Sequence, residues 1–151
     1  YAALERLAHW QSALDMWRDH PWLGVGFGNY AAAYASYALP KWPMALGHAH
    51  NYYLNVAAET GLLGLIAYLC LWGTIFWILW HILQTAADRR MRALVVGTLG
   101  MLVHLSVHNV VDNLWVHNMY VHVAILLGLV QVADRRPALR PFGGNGVTTL
   151  V

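Results

Sequence analysis

Charge and cysteine are the two things this chain has least of. Only 11% of its 151 residues are charged and there is a single cysteine, whereas an ordinary soluble domain devotes about a quarter of its residues to charge. One thiol inside an apolar run excludes a disulfide framework, and without a partner or an activating cation Cys70 reads as a packed thiol. The nine Lys and Arg against seven Asp and Glu leave a net charge of +2. Those few basic residues form no aromatic-interleaved face, so nucleic acid is not an expected partner. No Walker lysine follows Gly24-Val25-Gly26-Phe27-Gly28-Asn29 and no strand-to-helix unit surrounds it, so the segment is read as a turn and not a nucleotide loop. The chain starts at Tyr1 without a signal-peptide pattern and is taken as a carboxy-terminal portion of a longer protein.

What is abundant is hydrophobicity: 59% of residues are apolar and the mean hydropathy is +0.45. The stretch 61–83 has no formal charge and is long enough to cross a hydrocarbon core of about 30 Å at about 1.5 Å per residue. Shorter candidates run over 93–111 and 116–132. The basic clusters Asp88-Arg89-Arg90-Met91-Arg92 and Asp134-Arg135-Arg136 fall on one side if all three cross, and the positive-inside rule makes that side cytoplasmic. Residues 1–60 and the turn Asp112-Asn113-Leu114-Trp115 then face the other side. The expected organisation is an extracytoplasmic segment (1–60), a three-helix membrane region (61–136) and a disordered tail (137–151), in an all-α integral membrane protein. Leu4, Leu7, Trp10, Leu14 and Trp17 share one helical face and suggest an interfacial helix, or one packed on other helices. Pro21 ends it, and a second short helix is expected over Tyr30 to Tyr37.

Chemistry concentrates at Gly47-His48-Ala49-His50-Asn51, where a polar segment runs into the membrane-length one. A histidine there exchanges protons near neutral pH at a bilayer surface. His48 and His50 also suggest a metal pair, but no neighbouring carboxylate or cysteine set completes a coordination sphere, and no metal or cofactor is expected. Asn51 reads as orienting the imidazole, bonding a hydroxyl or capping the next helix. Glu59 reads as an orienting partner of a histidine or as an interfacial carboxylate. His104, His108 and Asp112 recur every four residues, as do Asn118 and His122, and are read as interhelical packing or cavity lining more than catalysis. An HxxxH zinc protease is not the expected reading, because Leu105 stands where the catalytic glutamate would be.

Taken in order, Arg6-Leu7-Ala8-His9-Trp10, then His20-Pro21-Trp22-Leu23-Gly24-Val25-Gly26-Phe27-Gly28, then His50-Asn51 and, nine residues on, Gly61-Leu62-Leu63-Gly64 resemble the O-antigen ligase and polymerase superfamily of bacterial membrane glycosyltransferases. The resemblance covers roughly residues 3–70. It implies transfer of a glycan from an undecaprenyl-diphosphate carrier to an acceptor hydroxyl on lipid A core, a glycan or a protein, at the extracytoplasmic face of the bacterial inner membrane and without a metal. It further implies His50 as the acceptor-activating base and Arg6 as a contact to the donor diphosphate. His48, Asn51 and Glu59 are supporting candidates, with Gly61 and Gly64 permitting close helix approach. Within the same class a polymerase or a protein O-oligosaccharyltransferase fits the motifs as well as a ligase. A polysaccharide exporter that uses its polar stripes as a path, or a structural remnant without a donor site, are the readings outside catalysis.

Overall fold

The computed structural model describes residues 1–116 and 118–134. The basic residues Arg135 and Arg136 and the expected tail over 137–151 lie outside that range. Among the described residues there are five helices and no strand: α1 (Ala2–Asp19), α2 (Tyr30–Tyr37), α3 (Tyr52–Thr85), α4 (Arg89–His108) and α5 (Met119–Asp134). The all-α expectation holds. At 34 and 20 residues, α3 and α4 are long and apolar enough to cross a membrane. The third expected crossing forms as α5, an apolar helix of 16 residues. It covers about 24 Å at about 1.5 Å per residue, short of a core of about 30 Å.

The first span does not begin as a fresh helix at residue 61. It continues from a limb over 52–60, and the two are separated by Gly61, whose φ of 65° and ψ of −165° are non-helical. Such a break strands carbonyls before it and N–H groups after it, and these need partners. The glycine turn supplies them. Val25 N donates to Ala58 O and Gly26 N to Glu59 O, both at 2.9 Å, while Leu62 N donates to Pro21 O at 2.7 Å. The two chains approach so closely that a Cβ on Gly61 would collide with the backbone of Trp22, and one on Gly24 with the backbone of Glu59. The expected close approach at Gly61 is therefore to a loop, not a helix, while Gly64 makes room for the Thr60 side chain.

The break turns the 52–60 limb back along the spanning one, so that the Tyr52 and Tyr68 rings lie 5.3 Å apart. Tyr52 N then donates to Asn109 O at 2.8 Å, fastening the start of α3 to the top of α4. Lower down, α3, α4 and α5 share one apolar core built on Trp72, Leu79, Met91, Val95, Leu102, Leu105, Val123 and Val130. Ser106 is its polar pin: its carbonyl accepts from Tyr53 Oη at 2.8 Å and its hydroxyl from Trp72 Nε1 at 2.6 Å.

In α1 the packed face is not the one the large residues mark. Ala8, His9, Ser12, Ala13 and Met16 are buried, whereas Leu4 and Leu7 are more than half exposed. Small side chains let the helix axis approach its neighbours. Ser12 Oγ reaches Tyr37 O at 2.9 Å, and Met16 and Ala13 close a second core with Tyr30, Tyr34, Ala49 and Ala58. The two tryptophans of the expected face spend their indole N–H groups on the protein, Trp10 on His50 O and Trp17 on Pro21 O.

Candidate active site

His50 is the last residue but one before α3, and it sits in the left-handed region with φ of 52°. A non-glycine residue there is uncommon, and its strain persists only where neighbours fix it. Four contacts do so. Trp10 Nε1 donates to His50 O at 3.0 Å, His50 N donates to His48 Nδ1 at 3.1 Å, Ala49 N donates to Asn55 Oδ1 at 3.0 Å, and Asn51 caps α3 by accepting from Leu54 N at 3.0 Å. Of the roles open to Asn51, the one visible in the geometry is the cap.

The imidazole meets a carboxylate from the turn that follows α4. α4 ends at His108, so Asp112 leaves the helical face expected to align it with His104 and His108, and its Oδ1 comes to 3.2 Å from His50 Nδ1. The other carboxylate oxygen is 3.6 Å from Arg6 NH2. Burial pushes the Asp112 carboxyl up, but the Asn113 N–H, His50 and Arg6 together outweigh burial and hold it below its ordinary value. An ionised carboxylate can only accept, so the His50–Asp112 bond requires the proton on Nδ1. In the neutral ring the lone pair is then on Nε2. The structure thus brings together Arg6, His48, His50 and Asp112.

Two further histidines crowd His50. His48 lies with its ring 4.4 Å away, edge on. Burial and the neighbouring His50 lower its proton affinity, with Asp112 opposing. His9 is fully buried, stacked on Tyr34 at 4.6 Å and edge-on to His50 at 5.8 Å. Its Nδ1 is 3.0 Å from Tyr30 Oη. Burial first, then His50, lowers its pKa, and burial raises that of Tyr30, so both stay neutral. Arg6 carries the permanent positive charge beside Asp112.

Glu59 is not brought to the histidines. It is buried at the head of α2, where its two oxygens accept from Gly28 N and Tyr30 N, each at 3.1 Å. A helix N-terminus and a glycine turn together make an anion seat, and here an internal carboxylate fills it. His104 is exposed and His108 half-exposed on α4, 5.7 Å apart ring to ring. They do not join α4 to its neighbours by hydrogen bonds among the described residues; Ser106 does. Asn118 and His122 bond locally, through Tyr120 Oη to Asn118 Oδ1 and His122 Nδ1 to Asn118 O.

His48, His50 and Asp112 offer ligand atoms all within 4.8 Å of one another, a grouping the sequence did not reveal because Asp112 is remote along the chain. Its chemistry fits a cation poorly. Arg6 already places a positive charge on the same carboxylate, and the His48 Nδ1 lone pair is taken by the His50 N–H. Trp10, Asn55 and Asn109 are structural members of the site that sequence reasoning missed. Asn109 is fully buried, and its Oδ1 accepts from Leu114 N at 2.9 Å, shaping the turn that carries Asp112.

Residues 2–69 match the family model described as O-Antigen ligase. Over 132 residues the chain is 24% identical to the teichuronic acid biosynthesis protein TuaE of Bacillus subtilis (strain 168), a similarity that covers 83% of this chain and 26% of the relative. The chain therefore spans about a quarter of the length of the curated relative it matches.

Proposed function

From the premise that residues 2–69 carry an O-antigen ligase match, we propose that this chain supplies the acceptor-activating half of a lipid-linked glycan transferase in a bacterial cytoplasmic membrane, with its site on the extracytoplasmic face. The observation that carries the reading is the Arg6–Asp112–His50 contact series. His50 Nε2 takes the proton of an acceptor hydroxyl as its oxygen bonds to the anomeric carbon of the donor sugar. The bond from that carbon to the undecaprenyl diphosphate breaks, and the diphosphate leaves with the electron pair. A positioned base contributes about 10²- to 10⁴-fold to such a step. Asp112 fixes the tautomer and steadies the imidazolium that forms.

Arg6 contacts the leaving diphosphate. Its side chain is 46% exposed, and a guanidinium has more N–H donors than one carboxylate uses. Depth supports this role. α4, 20 residues long, rises about 30 Å from the Arg89 end to His108. Asp112, just beyond it, lies where the hydrocarbon ends and a carrier's diphosphate would be.

A relative named for teichuronic acid biosynthesis favours a growing polysaccharide as the acceptor, and hence a polymerase, over lipid A core. The test is the initial transfer rate of the intact protein with purified lipid-linked donor and defined acceptors, for wild type and His50→Ala. New glycosidic bonds that depend on His50 support the transferase. Donor translocation without bond formation supports an exporter instead.

A further inference from the structure

We propose that the 21–28 loop is a lipid anchor in which Trp22, Leu23 and Phe27 enter the headgroup layer of the outer leaflet beside the site; this rests on the reading that residues 62–85 span the membrane. The sequence pointed to α1 for this task, yet Trp10 and Trp17 of α1 are tied to protein backbone. The loop carries the free apolar groups: Trp22 is 63%, Leu23 72% and Phe27 88% exposed. Residues 21–28 contain no charge, and the Trp22 indole N–H makes no hydrogen bond among the described residues, which leaves it for a phosphate or ester oxygen.

The suture at Gly61 sets the depth. Leu62 and Leu63 donate to Pro21 O and Trp22 O, so the loop is fixed to the first turn of the spanning limb. From Thr85 that limb rises about 36 Å to Leu62, about 6 Å past a hydrocarbon core of about 30 Å and within the headgroup zone. Four of the loop's N–H groups are already paired inside the protein, Gly24 N with His20 O, Val25 N with Ala58 O, Gly26 N with Glu59 O and Gly28 N with a Glu59 carboxylate oxygen, which lowers the cost of placing the loop at headgroup depth. On the limb that carries the loop, Leu63 and Ile66 are exposed apolar residues as well.

The experiment places a nitroxide at Phe27→Cys, or at Leu23→Cys should the first variant not accumulate, in the intact protein lacking other cysteines. The protein is reconstituted in phosphatidylethanolamine and phosphatidylglycerol vesicles. Collision rates with oxygen and with a water-soluble nickel chelate are compared with those at Lys41→Cys and Ile66→Cys. The expected oxygen-to-nickel ratio at position 27 lies between the two references, well above that at 41. A ratio equal to that at 41 overturns the anchor in favour of a solvated loop. An immobile label shielded from both reagents overturns it in favour of cover by protein. If position 66 itself reads as water-exposed or protein-covered, the spanning reading fails and takes the anchor with it; a lipid-exposed 66 beside a solvated 27 sinks the anchor alone.

Discussion

Asp112 Oδ1 lies 3.2 Å from His50 Nδ1 across 62 residues of sequence, so the two ends of the α3–α4 hairpin meet in one hydrogen bond. Asp112→Asn should keep the fold but lose the charge that fixes the Nδ1–H tautomer. Transfer should fall about tenfold or more, short of the loss for the base itself. Initial rates against a thermal-unfolding control check this, and an Asn variant with full activity and normal folding would remove Asp112 from the site.

His50→Ala should lower transfer by about 10²-fold or more while insertion and donor binding persist, and His48→Ala should cost less. A chelator should leave wild-type rates unchanged. Activity lost to chelation and restored by zinc would mean instead that His48, His50 and Asp112 hold a metal.

Arg6→Lys keeps the charge but not the fork of donors. Turnover should drop severalfold or more with Asp112 still neutralised, because one ammonium cannot bond a diphosphate and a carboxylate together in the same way. Wild-type kinetics and donor affinity in this variant would reduce Arg6 to a structural partner of Asp112.

Gly61→Ala should be among the most damaging small substitutions in the chain. The new Cβ meets the Trp22 backbone, and a positive φ costs a non-glycine residue about 1–3 kcal/mol even with room to spare. Thermal unfolding in detergent should show a clear loss, whereas Gly73→Ala, in open space on the same helix, should be neutral or mildly stabilising.

Acidification should weaken the packing around α1. His9 has its pKa held below the ordinary 6.5 by burial and by His50, so the unfolded chain binds the extra proton first. His9's contribution to stability is complete above about pH 6.5 and declines as pH falls through the window below it. Unfolding temperatures measured from pH 8 to 5.5 should show this slope, and His9→Phe should flatten it. An unchanged slope would mean that other groups carry it.

The sequence on its own determined the membrane-length runs, the charge asymmetry at their ends, the short helix from Tyr30 to Tyr37 and the position of His50 at the entrance to a long apolar segment. Each follows from local composition or from a motif read in order, because a bilayer demands a continuous apolar helix and leaves that demand visible in the chain. Tertiary structure decided the rest. The break at Gly61 depends on a loop forty residues earlier that can satisfy the freed backbone groups, and nothing periodic in the chain reports that pairing. Glu59 was legible as a carboxylate near a helix start but not as the cap of α2, since its partners are the N–H groups of Gly28 and Tyr30. The buried face of α1 departs from the hydrophobic pattern because close packing selects small side chains as readily as large apolar ones, so Ala8, Ser12 and Ala13 are buried while Leu4 and Leu7 stay exposed. Asp112 joined His50 for the same reason that no window of sequence shows it: α4 stops at His108, and a single bond between distant turns is fixed only when the helices beneath it have packed.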